Sequence, residues 1–148
     1  MISRAGMDAV LGRVDRYGNI EPTILFARLQ GMASTHKPKA IMLDTAADIF
    51  AGNENDRSQV RQFITLLRGL AIGTGAAVIL VTHPSLHGTS SGSGLSGSTA
   101  WHNSVRARMY FKSAPSDNES NLLRTLEFSK NNYGPIGEHV MLRWHNGV

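Results

Sequence analysis

The sequence contains no cysteine, few aromatic residues and no long apolar run. Without cysteine the chain has no disulfide bond, no thiolate zinc site and no cysteine nucleophile. The longest purely apolar run, residues 76–81, has six residues. A membrane-spanning helix needs about 20, so we expect no membrane partner. The first residues, MISRAGMDAV, also lack the apolar core of a secretory signal, and we therefore expect a cytoplasmic protein.

The composition fits one folded domain. The chain has 148 residues, of which 41% are hydrophobic, and a net charge of +4 from 15 Lys+Arg against 11 Asp+Glu. This length is enough to bury a core, and the hydrophobic fraction is too high for general disorder. The small positive charge is compatible with an anionic partner, although a mixed solvated surface is the commoner reason for it.

Two apolar runs in the first half predict neighbouring parallel strands. Residues 40–43 and 76–82 are short apolar runs bounded by polar residues, a pattern typical of buried parallel strands. A helix is predicted between them, because Asp56 is a good N-cap, with Gln59 three residues later, and apolar residues then recur at helical spacing up to the glycines Gly73 and Gly75. The apolar face of this helix consists of Val60, Phe63, Ile64, Leu67, Leu70 and Ala71.

The remaining segments complete an α/β prediction. One or two short strands precede a turn at residues 17–19, and an amphipathic helix runs over 21–35 with Pro22 at its first position. Residues 85–98 are a Gly/Ser-rich run expected to be mobile, and 99–104 a short helical turn. Further strands are expected at 105–112, 122–129 and 139–144, with loops at 115–121 and 131–137. The predicted fold class is a mixed, mainly parallel sheet with flanking helices and a C-terminal antiparallel hairpin.

Asp44 and His83 follow the two apolar strands directly and form the first candidate site. Ligands of parallel sheets bind beyond the carboxyl ends of the strands. An acid at this position is the pattern by which nucleotide hydrolases hold Mg²⁺. The alternatives are that Asp44 is a cap or turn residue and that His83 is a hydrogen-bonded structural histidine.

Basic residues near the C-terminus form a second candidate group. Arg106 and Arg108 alternate with apolar residues, which predicts that both side chains lie on the same face of a strand. Lys130 precedes the glycine- and proline-containing turn. These cations either occupy a solvated strand face or stabilise a phosphate. For the arginines, that phosphate would be one bound by a neighbouring subunit.

The Gly/Ser-rich run contains two chance motif matches. Residues 92–99 have the spacing of a phosphate-binding loop, but Ser98 stands where lysine is required. Residues 88–92 match G-x-S-x-G, the nucleophile elbow of acyl hydrolases, with Ser90 as nucleophile. That elbow should directly follow a strand and open a helix, whereas loop residues precede it here. An acyl hydrolase is accordingly a minor alternative, which labelling by a fluorophosphonate would test.

Several segments resemble RecA-like ATPases in their order and spacing. They are I-M-L-D-T-A-A-D at 41–48, V-T-H-P-S at 81–85 and G-S-T-A-W-H-N-S-V-R at 97–106. The pattern is most similar to RepA-type hexameric replicative helicases and to phage AAA-type ATPases. The segment 129–137 resembles the K-x-x-N-G-P-x-G turn of DnaB-like helicases. The resemblance extends from about residue 20 to the end of the chain and implies a partial RecA-like fold.

The resemblance implies a role for individual residues in ATP hydrolysis. Asp44 would be the Walker B aspartate that holds Mg²⁺, with Thr45 beside it in the ATP site, and His83 would sense the γ-phosphate. Arg106 would be a finger that acts on a neighbouring subunit, and Lys130 a second such cation. Where DnaB-like proteins have arginine in the turn, this chain has Asn132 or Tyr133, so a paired finger is not implied.

The resemblance also implies single-stranded DNA as a partner and a ring-shaped homo-oligomer for the complete protein. Residues 52–56 and 85–98 would be the two loops facing DNA in replication or recombination. The second loop has no Lys or Arg, so contacts would come from amides, hydroxyls and imidazole rather than from charge. The residues expected to make these contacts are Asn53, Asn55, Ser85, His87, Ser90 and Ser93.

The sequence departs from the family in lacking a phosphate-binding loop. No G-x4-G-K-[ST] occurs, and no glutamate is placed to act as catalytic base. We therefore expect residues 1–148 to form a single RecA-like domain without its Walker A portion, with little or no ATPase activity alone. The alternative is a non-catalytic RecA-like module that regulates or assembles with other proteins. An in-frame phosphate-loop motif upstream of Met1 would distinguish the two.

Overall fold

The computed structural model describes residues 2–90, 94, 97–114 and 122–146 and divides the chain into two compact units. The first unit, Met1–Ser104, contains most of the elements. They are β1 (Gly12–Val14), β2 (Ile20–Pro22), α1 (Ile24–His36), β3 (Ala40–Leu43), α2 (Ala46–Ile49), β4 (Phe50–Ala51), α3 (Arg57–Thr74), β5 (Ala77–Leu80), α4 (Leu86–Ser90) and α5 (Thr99–Ser104). The second unit, Val105–Val148, contains β6 (Ala107–Ser113), β7 (Leu123–Asn131) and β8 (His139–Arg143).

The predicted parallel pair is present. β3 and β5 pair in parallel, with Ala40 opposite Ala77 and Leu43 opposite Leu80. The expectation that both strands are buried is wrong, because in β3 Ile41 is buried whereas Met42 is 66% exposed. Successive side chains of a strand point to opposite faces, so the described residues cover only one face of this two-stranded sheet.

Helix α3 forms much as predicted. The Asp56 side chain accepts hydrogen bonds from the amides of Ser58 and Gln59 at the helix start. The helix continues through Gly73 and ends at Gly75, whose φ of 69° is the left-handed conformation that a glycine adopts without strain. The Gln59 side chain does not complete a capping box with Asp56. Its oxygen accepts a hydrogen bond from the amide of Asn53, which holds the preceding loop against the helix. The buried residues are Val60, Phe63, Ile64, Leu67 and Leu70.

The N-terminal region differs from the prediction in the start of its helix and in its strands. Pro22 is the last residue of β2, and the helix begins after Thr23, whose hydroxyl accepts from the amide of Phe26. Thr23 also donates its hydroxyl proton to the Val10 carbonyl, so it caps the helix and ties it to the sheet. β1 pairs antiparallel with β2 and parallel with β4, two strands that the sequence patterns did not predict.

The Gly/Ser-rich run is partly helical. Residues Leu86–Ser90 form α4, a helix that the composition did not predict, and Ser85 caps its first turn. The amide of Gly88 donates to the Ser85 hydroxyl, and the amide of Thr89 donates to the Ser85 carbonyl. Much of the rest of the run, including Ser93 and most of the phosphate-loop-like frame, lies outside the described residues. The predicted helical turn at 99–104 is present as α5.

The second unit is a three-stranded antiparallel sheet in the order β6-β7-β8. The expected C-terminal hairpin is therefore its β7–β8 part, and β6 adds a third strand. β6 begins at Ala107, so Arg106 precedes the strand and does not alternate along it with Arg108 as expected. A register shift between Arg108 and Met109 interrupts the alternation further. The predicted loop at 115–121 lies outside the described residues.

Across the described ranges, none of the helices has both the length and the apolar character required to cross a membrane.

Candidate functional site

Asp44 and His83 follow paired strands at the same edge of the β3–β5 sheet. The ladder continues past the strand ends, because the amide of Val81 donates to the Leu43 carbonyl at 2.9 Å and the amide of Ala46 donates to the Val81 carbonyl at 2.9 Å. Asp44 thus lies beside Val81, and His83 follows two residues later. Both residues are exposed, so a carboxylate and an imidazole emerge from this edge into solvent.

Asp48 is a carboxylate near this edge to which the motif analysis gave no role. It accepts from the Thr45 hydroxyl at 2.9 Å and from the Thr45 amide at 3.3 Å. Asp48 therefore fixes the residue that directly follows Asp44, to which Thr45 is joined by a cis peptide bond. The T-x-x-D spacing, which resembles a helix capping box, was the sequence signal for this contact.

The side chains at this edge fit Mg²⁺ only if other groups, such as nucleotide phosphates and waters, complete the coordination of the ion. Within the described part of the chain, no group of three or more His, Cys, Asp or Glu side chains could enclose a metal ion. Mg²⁺ bound with a nucleotide commonly takes one or two carboxylates, the substrate phosphates and several waters. Asp44 would supply one such carboxylate, and the Thr45 hydroxyl, which donates its proton to Asp48, would retain an oxygen lone pair.

The first of the two loops expected to face DNA, residues 52–56, is joined to the end of the second through one backbone atom, the Glu54 carbonyl oxygen. The Glu54 carbonyl accepts from the Ser98 amide at 3.0 Å and from the Trp101 indole at 3.2 Å. Gly97 makes this approach possible, because a Cβ there would lie 2.9 Å from the Glu54 oxygen. The indole also packs against Phe50, with ring centroids 5.5 Å apart. The two expected DNA-facing segments therefore meet in one cluster.

The residues expected to contact DNA occupy different local settings. Asn53 and Asn55 are exposed, and the Asn53 side chain accepts from the Asn55 amide, which shapes the first loop. Ser85 caps α4, and His87 lies within that helix. Ser90 is the last residue of α4 and so does not stand on a strand–turn–helix elbow, which removes the geometric basis of the acyl hydrolase alternative.

Arg106 and Lys130 come together in the second unit. Arg108 lies opposite Lys130 in the β6–β7 ladder, and the Arg106 carbonyl accepts from the amide of Asn132. Arg106 is exposed and Lys130 half-buried, at the same end of these strands. Burial lowers the pKa of Arg108, an effect that Tyr110 partly offsets. Arg108 donates to the Ser129 hydroxyl, so its side chain has a structural contact that the Arg106 side chain lacks among the described interactions.

The exposed face of α3 is a feature that the sequence analysis missed. Three arginines, Arg57, Arg61 and Arg68, lie on it, and the helix contains no acidic residue and no lysine. A cavity of 390 Å³ runs between this face and α5, and one of 640 Å³ lies on the side of β2. The signal was present in the sequence, because positions 57, 61 and 68 fall together within about 40° on the helix, outside the predicted apolar face and beside it. We call these three residues the arginine face.

Comparisons with known proteins find similarity to an AAA domain in part of the chain and to an ATPase domain in fold. A family model described as an AAA domain matches residues 17–88, and no curated protein matches the chain. Among 28 matching chains of solved structures is one titled as an ATPase domain, with a TM-score of 0.63 and 17% sequence identity. The match covers 81% of this chain and 47% of that one, so this chain spans about half the length of its structural relative. The chain thus has a RecA-like α/β fold, the fold of that ATPase domain.

Proposed function

We propose that this chain is part of a DNA-dependent RecA-like ATPase of the RepA helicase type, to which it contributes the Mg²⁺-facing and phosphate-sensing edge. One observation carries the proposal: an acid and an imidazole follow directly paired parallel strands at the edge where such sheets bind ligands. The AAA-domain match spans this acid and this imidazole, since it covers residues 17–88.

Asp44 is the residue that holds Mg²⁺ in this proposal, and Thr45 completes the polar edge beside it. The ion would neutralise the phosphate charge of ATP. The contribution of the chain itself is positional: Asp48 holds Thr45 through two hydrogen bonds and so restricts the backbone that presents Asp44. His83 serves as the phosphate sensor. Only Pro84, whose ring fixes its φ angle, separates His83 from Ser85, the cap of α4. In this proposal a movement of His83 against the phosphate therefore also moves Ser85 and the start of the second DNA-facing segment.

The proposed ATPase needs groups from outside this sequence. No G-x4-G-K-[ST] is present among the 148 residues, so the loop that holds the β- and γ-phosphates comes from elsewhere. Arg106 and Lys130, which share one end of the β6–β7 ladder, act in this proposal on the nucleotide of a neighbouring subunit in a ring. The loops 52–56 and 85–98 face single-stranded DNA.

The missing phosphate loop also favours a second candidate, a non-catalytic RecA-like module. Such a module would keep the fold and its DNA- or partner-binding surfaces without a nucleotide site. The two candidates differ at Asp44, which binds nucleotide-bound metal in the first and has no ligand in the second. An in-frame phosphate-loop motif in the DNA upstream of Met1 would favour the ATPase.

Paramagnetic NMR on the whole chain tests the metal edge directly. At 16.1 kDa the chain is small enough for amide spectra, and Mn²⁺ with ATP replaces the Mg²⁺ complex as a weak-binding probe. We expect selective broadening of the amides at 43–46 and 81–83, and its loss in Asp44→Asn. Asp8→Asn is the matched control, because Asp8 is an exposed carboxylate far from this edge in sequence.

The outcomes separate the candidates. Broadening that spares 43–46, or that survives in Asp44→Asn, would contradict a metal role for Asp44 and favour the non-catalytic module. We expect no hydrolysis of ATP by the chain alone above the background rate. Robust Mg²⁺-dependent hydrolysis that disappears in Asp44→Ala would contradict the requirement for an external phosphate loop.

A further inference from the structure

We infer that the arginine face of α3, together with α5, binds the phosphate backbone of single-stranded nucleic acid. The inference rests on the DNA partner of the proposed function, but not on its nucleotide chemistry. The arginine face provides the positive charge that the two expected DNA-facing loops lack. Residues 85–98 contain no Lys or Arg, and residues 52–56 contain two acids, Glu54 and Asp56.

The charge on this surface is one-sided. Arg57, Arg61 and Arg68 are exposed, and neither α3 nor α5 contains an acidic residue. Asp56, the nearest acid in sequence, is engaged by the first amides of α3. None of the three guanidinium groups forms an ion pair with a carboxylate of the described residues. Within the described ranges, the positive charge of each of the three is therefore not compensated by a direct carboxylate partner.

The spacing of the arginines suits an extended polyanion. With a rise of about 1.5 Å per residue, positions 57 and 68 lie about 16 Å apart along the helix. That length corresponds to several consecutive phosphates of a nucleic-acid strand. Arg68 donates one hydrogen bond, at 2.8 Å, to the Ser104 carbonyl, which fixes its guanidinium beside α5. A guanidinium has five N–H donors, so Arg68 retains donors for a phosphate.

The groove between the two helices favours a phosphate backbone over a protein segment. It has a volume of 390 Å³, and its walls are arginine and uncharged polar side chains, with Ala100 as the one apolar residue among those that line it in the described structure. A protein segment binds mainly through buried apolar or aromatic anchors, which this groove does not accommodate. Phosphates need only cations and hydrogen-bond donors.

In sequence, the two walls of the groove directly follow the two loops expected to face DNA. Arg57 follows the first loop directly, and Thr99 at the other wall follows the Gly/Ser-rich segment. The Glu54 carbonyl joins the two loops through Ser98 and Trp101, so both lead into the same pair of helices. A strand that contacts the hydroxyls and amides of the loops therefore has a cationic path beside them.

The test measures binding of a fluorescein-labelled oligodeoxythymidylate to the full chain by anisotropy as a function of salt. Replacing both Arg57 and Arg61 with glutamine should weaken binding about tenfold at low salt and reduce the slope of log K against log salt by about 1.4, at about 0.7 per phosphate contact on a single strand. The matched control, Arg16→Gln with Arg28→Gln, removes the same charge from two other exposed arginines. It should change the affinity and the salt slope by only a small fraction of the changes seen in the Arg57 and Arg61 variant.

Three outcomes would overturn the inference. Equal weakening by the two double variants would mean that only net charge matters, and an unchanged slope in Arg57→Gln with Arg61→Gln would place the binding elsewhere. Competition by poly-glutamate as effective as that by unlabelled oligonucleotide would assign the groove to an acidic protein segment. Each result is independent of the Mn²⁺ experiment, so the roles proposed for Asp44 and for the arginine face are tested separately.

Discussion

Gly97 is the position where the structure makes its sharpest energetic prediction. Its φ is +54°, and a Cβ at this position would lie 2.9 Å from the Glu54 carbonyl oxygen and 3.5 Å from the carbonyl carbon. The contacted atoms belong to the backbone, so they cannot swing aside as a flexible side chain would. Gly97→Ala should therefore displace the Glu54 carbonyl from the two groups that bind it, Ser98 and Trp101.

The expected cost is the sum of three terms. The left-handed conformation costs an L-residue about 1–2 kcal/mol. Loss of the two hydrogen bonds to the Glu54 carbonyl adds about 1 kcal/mol each. The smaller conformational entropy of unfolded alanine returns about 0.4–1 kcal/mol. Gly97→Ala should thus lower the free energy of unfolding by about 2–3.6 kcal/mol.

Urea denaturation measures this effect in a Trp144→Phe background, where Trp101 is the one remaining tryptophan and reports on the cluster itself. Gly31→Ala is the matched control, because Gly31 lies within α1 and its Cβ would meet no atom within 4 Å. The control should stabilise the chain by about 0.5–1 kcal/mol through helix propensity. A cost below about 0.5 kcal/mol for Gly97→Ala, the range of ordinary surface changes, would refute the reasoning.

Two further predictions concern a helix cap and an ion pair. Asp56→Ala should cost about 1 kcal/mol in urea denaturation because the amides of Ser58 and Gln59 lose their acceptor, whereas Asp56→Asn should cost little; equal costs would argue against capping. In the second unit, Lys112 donates to Glu127 at 2.6 Å, and this hydrogen bond, with the lysine charge, lowers the pKa of Glu127. Its stabilising contribution is present above the ordinary carboxyl pKa of about 4.3 and is lost as pH falls through the lowered value. The difference in melting temperature between the wild type and Glu127→Gln should therefore shrink as pH falls through the lowered pKa of Glu127, and a difference that stays constant across the acid range would contradict the assignment.

The elements that the sequence predicted well are those in which one local pattern is decisive. The apolar spacing of α3 and the Asp56 cap are properties of consecutive residues, and the structure reproduces both. The prediction of two buried strands was wrong because it depended on neighbours distant in sequence. Burial of Met42 requires a covering layer on each face of the sheet, and a strand sequence does not reveal how many faces are covered.

Within the candidate site the same division holds. The order of strand, acid, helix, strand and imidazole determined that Asp44 and His83 would follow paired parallel strands, because a helix-linked pair of this length places both carboxyl ends at one edge. The contact of Trp101 with Glu54 joins residues 47 positions apart, and the groove beside the arginine face needs α5 packed against α3. The sequence alone thus determined the parallel pair and its polar edge through local periodicity, whereas the joined loops and the cationic groove arose from packing, which brings together residues that no short pattern connects.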